Sequence, residues 1–504
     1  MEHVEPSLEG EKRKRIPKQR SGRLDLRVGD PRYTPQTRNL VFLGYESGFG
    51  TDLEPVRNDP FVFDALLDLC SGEIPEELVG YTRSHANLER LYEGLSRYDC
   101  ETTFLDFDNA LRTALTLAFQ AFHIPGGVYP KGLSEVRFEG DASAGWSWLG
   151  YKKREVAPDA IEEAGKLRDL IHKGKLSKRS LPPCVCFKRT QLAQVIKPKV
   201  RTVWGYPFEI TLLEGRYAQP LIDAYSQMSS PMFIGRSMLK ELPMFIDGLF
   251  HYGDVCGLDW SGFDGVHGRI IVHEAFSILR SNMWLSEDEA KELDFIEDYF
   301  VNTPIVMPDG GVFLKHIGIP SGSFFTQLVG SVINFIAIMT LMLVEWNGVW
   351  TRIRVLSDDS VFTVPPLSTG GNIMDLEAWS ATAKKRFGLM LNTKKTFLAN
   401  RPEEIEFLGH ASTAGSVLRD ETKLLRLALY PEYHVKDAST SLSRVRGILM
   451  DSGFKSWKLY DLYDYMEEKY GPIAGRSKDK YYRYVIQRDV PSGRVRMTKL
   501  WSIA

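Results

Sequence analysis

An α+β fold, with helices packed on one face of an antiparallel sheet, is what the middle of this 504-residue chain predicts. Three observations carry that reading. Between residues 254 and 412 the pattern runs strand, helix, helix, hairpin, helix, strand-turn-strand, helix, strand. Two hairpin turns are written plainly, "PDGG" at 308–311 and "SDD" at 357–359. The helix between them contains "FIAIMTLMLV" (335–344), which is too apolar for a surface and reads as a buried core helix.

The elements follow in order. Residues 1–38 read as an extended arm rich in Pro, Arg and Lys. Helical spacing appears in "HANLERLYEGL" (85–95) and in "FDNALRTALTLAFQAF" (107–122), where Leu111, Ala114, Leu115 and Phe119 recur on one face. "GDASAGWSWLGYKKREV" (140–156) is a Gly- and aromatic-rich loop entering a basic helix start, and "IKPKVRTVWGYPFEITLLEG" (196–215) is a strand that becomes a helix after Pro207. "DVCGLDWSGFDG" (254–265) is a short strand and turn before a helix, and "EDEAKELDFIEDYF" (287–300) is another helix. "TPIVMPDGGVFLKHIG" (303–318) is the first hairpin and "TRIRVLSDDSVFTV" (351–364) the second. "LEAWSATAKKRFG" (376–388) is an amphipathic helix stopped by glycine, and "EIEFLGHAS" (404–412) reads as a strand. Beyond about residue 423, helices mix with a basic "RSKDKYYRYVIQR" segment (476–488).

Hydrophobic residues make up 43% and charged residues 25%, an ordinary globular balance. The length suggests roughly three domain-sized units or one multi-lobed enzyme. Five cysteines are few and scattered, which suits a reduced intracellular setting, and Cys184 with Cys186 is no zinc signature without a second pair. A net charge of −2 announces no nucleic-acid partner, but residues 11–27 and 152–201 are locally basic. No apolar core near the N-terminus suits a signal peptide, and the 335–344 run falls short of the ~20 residues of a membrane span.

The chemistry gathers around acidic residues. Asp259 ends a strand, Asp264 follows in the same turn, and Asp358 and Asp359 sit at the tip of the second hairpin. Ser-Asp-Asp by itself is simply a good turn. Two acidic strand ends brought together can instead hold two Mg2+ ions, which clamp the attacking and leaving oxygens of a phosphoryl transfer. Between them lies "SGSFFTQLVGSVIN" (321–334). Ser321 and Gly322 offer a hydroxyl and a close backbone approach. Thr326 and Asn334 share roughly one helix face with Gly330 midway, and Asn334 reads equally as a polar spot satisfied inside a helix interface.

This ordered set resembles the palm of viral RNA-dependent RNA polymerases. "DWSGFD" is similar to their motif A, "SGSFFTQLVGSVIN" to motif B, "SDD" to motif C, "FGLMLNTKKTFL" (387–398) to motif D and "IEFLGH" to motif E. Upstream, "KVRTVWGYP" (199–207) resembles motif F and "SAGWSW" (143–148) motif G. The order is what makes the set specific. The wording looks most like polymerases of small double-stranded RNA viruses of the partitivirus kind, with picobirnaviruses next. Two departures stand out: Ser357 occupies the usual glycine of the Gly-Asp-Asp turn, and Asn334 lies further from Thr326 than in many positive-strand relatives.

The resemblance implies a closed right hand with an antiparallel palm sheet backed by helices. The basic arm takes 1–38, fingers 39–250 and 266–315, palm 251–265 and 316–412, and thumb 413–504. It implies that Asp259 and Asp358 hold two Mg2+ ions, for which Mn2+ can substitute, with Asp359 in support. Asp264, Ser321 and Asn334, with Gly322 and Thr326, would recognise the ribose of an NTP. Lys199 and Arg201 would neutralise its triphosphate. Lys394 or Lys395 would act as general acid, though both also read as surface lysines. Ser143, Gly145 and the aromatics after them would guide the template. Implied partners are RNA template and product, NTPs and a viral capsid protein, with no membrane, in the virion interior and host cytoplasm. A reverse transcriptase would share the paired aspartates but choose dNTPs, and Asp264 with Asn334 argues against it. A catalytically silent RNA-binding protein of the same fold is opposed by the intact Asp259, Asp358 and Asp359.

Overall fold

The computed structural model describes residues 19–20, 24–50, 58–177, 181–348, 352–364 and 374–473. The basic segment 476–488 and most of 11–27 lie outside the described residues.

A four-stranded sheet runs in the order Ile353–Leu356, Asp359–Val364, Asp254–Gly257, Phe397–Ala399, with every pair antiparallel. Phe362 pairs with Ile353 on one side and Cys256 on the other. Phe362, Val364 and Cys256 join the main core with the long helix, while Val361 and Val255 belong to a second cluster with Leu242, Ile246 and Leu249 of the helix Glu241–Leu249. Helices therefore back one face as expected, and the opposite face is covered too. That is why "SVFTV" is continuously buried instead of alternating.

The helix Thr326–Glu345 is buried along nearly its whole length, against the helices Asn109–Ala121, Arg269–Arg280 and Leu376–Phe387 and the strand Ile353–Leu356. It is long and apolar enough to cross a membrane, yet 83% of its most apolar stretch is enclosed by protein. The expected core helix is thus present, and its apolar stretch extends further back than 335–344. In the Asn109–Ala121 helix, Leu111, Ala114 and Leu115 are buried as expected, but Phe119 is 39% exposed. Ala118 takes the inward place, since a methyl fits where two helices approach closely.

The 303–318 hairpin lies in a different, five-stranded sheet, ordered Leu40–Tyr45, Gly311–Lys315, Pro304–Val306, Cys184–Thr190, Val200–Gly205. One of its pairings, Cys184 with Ile305, is parallel. The strand Val200–Gly205 and the helix after it, Phe208–Gln227, appear where Pro207 predicted the change. The helix Leu376–Phe387 starts at Asp375, whose side chain accepts from Glu377 N and Ala378 N, and stops at Gly388 with φ of 72°.

One sequence expectation is corrected here. Residues 404–412 are not one strand: Phe407 and His410 bridge across a turn in which Leu408 and Gly409 have φ of 54° and 76°, and only Ala411–Thr413 continues as a strand. Two consecutive positive-φ residues cannot belong to an extended segment. The span expected as fingers, 39–250, also holds a helix that packs with the C-terminal part of the chain. The helix Pro60–Leu69 buries Val62, Ala65 and Leu66, with nearby Leu78, against Leu424, Leu442 and Leu459 of the C-terminal helices Glu421–Leu429, Ala438–Asp451 and Trp457–Tyr470. Asp59, fully buried, caps this helix through Phe61 N and Val62 N and ties it to Ser441 Oγ at 2.7 Å and to Arg444. An amphipathic helix buries its apolar face wherever the chain supplies a partner.

Candidate active site

Leu356 pairs with Asp359, so Ser357 and Asp358 form the tip of a two-residue hairpin. Ser357 has φ of 54°, a left-handed conformation that a side chain disfavours and glycine adopts freely. The long helix holds this tip in place. Ser331 Oγ accepts the Ser357 N–H at 2.9 Å. Asn334 Nδ2 donates to the Ser357 carbonyl at 2.8 Å and to the Asp358 carbonyl at 3.0 Å. Its Oδ1 accepts from Trp260 Nε1 at 2.9 Å. Gly330 faces the turn, and a Cβ there would lie 2.7 Å from Ser357 Oγ and 3.3 Å from Ser357 Cα. One buried asparagine thus joins the hairpin tip to the residue after Asp259.

Asn334, expected to read the ribose, is held inside the protein. It is fully buried, and both its amide nitrogen and its oxygen are engaged within the protein. Thr326 is similarly occupied, its hydroxyl donating to the Pro320 carbonyl at 2.5 Å. Because the turn is held from outside, Ser357→Gly should keep it. Relief of left-handed strain and the looser unfolded chain nearly cancel, so stability should change by less than about 1 kcal/mol. Ser357→Val should cost more than about 1 kcal/mol, since a β-branched residue resists this φ. Equilibrium denaturation of the two variants checks both.

Asp259 sits just past the strand Asp254–Gly257. Its N–H donates to Thr396 Oγ1 at 3.3 Å and its carbonyl accepts from Asn392 N at 2.8 Å. Trp260 and Ser261 pair with Leu391 and Met390. The turn bearing Lys394 and Lys395 is therefore pinned beside Asp259, with both lysines exposed.

The electrostatics bring these segments into one cleft. Burial raises the Asp358 carboxyl above its usual range, Asp259 adds to this, and Arg201 and Lys199 oppose it. Asp359 is pushed up to about 7 by burial, then by Asp358, Asp259 and Glu406. Asp264 is pushed up to about 6 by burial and then by Asp358, with Arg201 and Arg97 opposing. Asp358 and Asp359 still reach solvent, so their burial is that of a cleft floor, surrounded by protein but open to water. Lys199 is held below the usual lysine range by partial burial, then by Arg201, Lys395 and Arg97, while Asp259 opposes this. Lys395 is thus close enough for its charge to be felt at Lys199.

Among the described residues, no three His, Cys, Asp or Glu side chains close on one another tightly enough to cage a metal ion. A hard cation that keeps water and takes substrate oxygens needs only one or two carboxylates. Carboxylates that raise one another's pKa supply the surplus negative charge such an ion neutralises. Asp259, Asp358 and Asp359 therefore fit a divalent cation.

The loop 320–325 is fastened to the strand that carries Arg201. Ser321 Oγ accepts the Trp204 N–H at 3.2 Å, which leaves the hydroxyl proton of this exposed residue to offer elsewhere. A Cβ on Gly322 would overlap the Trp204 carbonyl oxygen. Ser323 and Phe324 bond to Glu214. Further up the chain, Gly145 has φ of 81° and presses on Tyr206 and Pro207, where a Cβ would sit 2.7 Å from the Tyr206 carbonyl oxygen. Ser143 is exposed beside it. Trp146 and Trp148 are only 2% and 1% exposed, so the aromatics expected to stack on a template are core residues with no free face.

Sequence reasoning missed Arg97, Trp260, Ser331 and Glu214. Glu214 carried a signal, a lone acid in the apolar run "ITLLEG", and Trp260 adjoined a singled-out aspartate. Nothing local marked Arg97.

A family model described as viral RNA-dependent RNA polymerase matches residues 74–467. The RNA-directed RNA polymerase of Cryptosporidium parvum virus 1 (strain KSU-1) is 35% identical over 161 residues, covering 31% of this chain and 30% of that protein. The RNA-directed RNA polymerase of White clover cryptic virus 1 (isolate Boccardo/2004) is 23% identical over 342 residues, covering 60% and 54%. The chain thus spans between 30% and 54% of the length of these curated relatives. Among solved structures, the RNA-dependent RNA polymerase of a human picobirnavirus superposes with a TM-score of 0.64 at 15% identity, covering 83% of this chain and 85% of that one. The Sicinivirus 3Dpol polymerase gives 0.65 at 14% identity, covering 89% and 95%. At such identities the likeness shows a shared fold.

Proposed function

The chain belongs to the viral RNA-dependent RNA polymerase family, and from that premise we propose that it joins NTPs on an RNA template, replicating and transcribing a viral double-stranded RNA genome. The observation that carries this is the gathering of Asp259, Asp264, Asp358 and Asp359, with the hairpin tip joined to Trp260 through Asn334, and with Lys199 and Arg201 close enough for their charges to be felt there. Acidic groups for cations and basic groups for a triphosphate lie side by side there. In this reading the palm takes 251–265 and 316–412, the fingers 39–250 and 266–315, and the thumb 413–504. Residues 58–79 pass from the fingers to the thumb, because they pack with it.

Members of the family work with divalent metal ions, and Asp259 and Asp358 would hold two, Mg2+ by preference with Mn2+ as substitute. Such ions, when bound, activate the attacking 3′-hydroxyl and stabilise the leaving pyrophosphate. Asp359, raised in part by Asp358 and Asp259, supports the site from beside them. Arg201 grips phosphate oxygens with its planar fork, and Lys199 adds a point charge. Asp264 and Ser321 meet the ribose 2′-hydroxyl, and a substrate without it leaves those polar groups unpaired. Lys395, felt at Lys199, is better placed than Lys394 to protonate the pyrophosphate. Ser143 and Gly145 line the approach of the template. Much of the rate enhancement then comes from fixed groups aimed at developing charge.

The wider setting we propose is RNA template and product with a viral capsid protein, in the virion interior and host cytoplasm, without a membrane. Its support is the likeness to cryptic-virus polymerases. Purified protein on single-stranded RNA with Mg2+ should incorporate NTPs in template order and reject dNTPs. Preferential dNTP incorporation would transfer the protein to the reverse transcriptases. RNA binding with no incorporation, with a primer supplied and capsid protein present, would make it a silent relative.

A further inference from the structure

Glu214 lies in the second turn of the helix Phe208–Gln227 and is fully buried. Its helix neighbours Leu212, Leu213 and Ala218 are apolar core. A carboxyl in that position is costly unless its oxygens are paired, and a leucine would pack there without that cost. Its partners belong to another part of the chain. Oε1 accepts the Ser323 hydroxyl at 2.7 Å, and Oε2 accepts the Phe324 N–H at 2.8 Å. Ser323 Oγ in turn accepts the Phe325 N–H at 3.0 Å. These residues directly follow Ser321 and Gly322.

We infer that Glu214 is a positioning residue: it fixes the loop 320–325 so that Ser321 faces the incoming ribose, and so helps select NTP over dNTP. This rests on the polymerase reading above. Beside the loop's own bond from Thr326 to Pro320, Trp204 holds it at Ser321 and Gly322. Glu214 adds the second anchor on the far side. Two donors converge on it, so the residue must accept at two atoms. A carboxylate accepts at both oxygens and a protonated carboxyl keeps a weaker acceptor on its hydroxyl oxygen, whereas an amide nitrogen accepts nothing. Aspartate is a methylene too short to reach.

Its titration offers an independent readout. Burial pushes the carboxyl up to about 8 from an ordinary 4.5, against Ser323, Phe324 and Lys153, which act to lower it. The other titratable groups that sense it are the Tyr206 hydroxyl and, beside Tyr206, the Cys184 thiol. Between these values the folded state keeps a proton that the unfolded chain releases. The stability from this group therefore falls as pH rises from about 4.5 through about 8. Lys153, lowered to about 8 by burial, acts above that window, where stability rises with pH.

The test compares full-length wild type, Glu214→Gln and Ser323→Ala. Hydrogen exchange across 320–326 should accelerate roughly tenfold in both variants, with exchange elsewhere unchanged. The kcat/KM ratio of NTP over dNTP should fall by roughly tenfold, mainly through KM for the NTP. The fall in stability between pH 5 and 8 should shrink in Glu214→Gln. Unchanged exchange at 320–326 would overturn the anchoring. Faster exchange with unchanged discrimination and KM would reduce Glu214 to a structural group and overturn the ribose role. A wild type that incorporates no nucleotide would overturn the polymerase reading and that role with it, while the exchange data still judge the anchor.

Discussion

Asp358→Asn should lower nucleotide incorporation by on the order of 10³-fold, about 4 kcal/mol of barrier, with the protein still folded. The substitution keeps the shape of the side chain and removes its charge. Asn334 and Ser331 hold the turn through backbone groups of Ser357 and Asp358, so the tip should not move. What is lost is a carboxylate facing the cleft. Asp359 and Asp264 both feel the Asp358 charge as repulsion. The melting temperature should therefore hold or rise as the rate collapses, the usual sign of a site tuned for chemistry over stability. Asp359→Asn should cost less, roughly 10- to 100-fold, as expected of a supporting group. Single-turnover incorporation beside thermal denaturation separates the two outcomes. A variant retaining more than a tenth of the wild-type rate would remove Asp358 from the metal site.

Among the described glycines, Gly322 is where an added methyl meets the closest obstacle, and Gly322→Ala should be severely damaging. The added Cβ would occupy the space of the Trp204 carbonyl oxygen, and backbone cannot rotate aside as a side chain does. Overpacking of this kind costs roughly 1–3 kcal/mol, and occasionally more. The functional loss should exceed the structural one. The loop can relieve the clash only by leaving the strand Val200–Gly205, which takes Ser321 from its Trp204 N–H and from the same edge as Arg201. A displacement near 1 Å is worth roughly 10²-fold in rate. Gly330→Ala is the useful contrast, because its nearest obstacle is the Ser357 hydroxyl, which can turn away. Denaturation midpoints and steady-state incorporation should rank the two in that order.

What the sequence made legible was local. "PDGG" and "SDD" are turns by their own chemistry, and the helix 376–388 carries its stop in Gly388. The long apolar helix could only be core. The four aspartates were found because strand ends followed by turns are visible in the pattern, and their order along the chain gave them a common destination. The failures are all tertiary. That Asn334 grips the hairpin depends on where Trp260 stands, and no spacing on the helix encodes that. Trp146 and Trp148 read as a stacking surface until the core closes over them. The strand expected at 404–412 fails at Leu408, a residue with no reputation for turns held at φ of 54° between bridged neighbours. Glu214 had the opposite profile, an acid where only apolar side chains belonged, and that oddity pointed to a partner elsewhere in the chain.

The helix Pro60–Leu69 has a consequence for the order in which the molecule assembles. A chain made from its N-terminus presents this helix early, but its partners begin at Glu421 and end at Tyr470. Until those residues emerge, Val62, Ala65 and Leu66 have no apolar cover, and the Asp59 carboxylate lacks Arg444. Closure across so long a separation is slow, and an early helix left uncovered invites association with other chains. The docking of residues 60–69 on residues 421–470 should therefore come late in folding. A product truncated before residue 421 should build the sheets around the aspartates but expose a sticky amphipathic helix, so the docked helix doubles as a check that synthesis has run past residue 470.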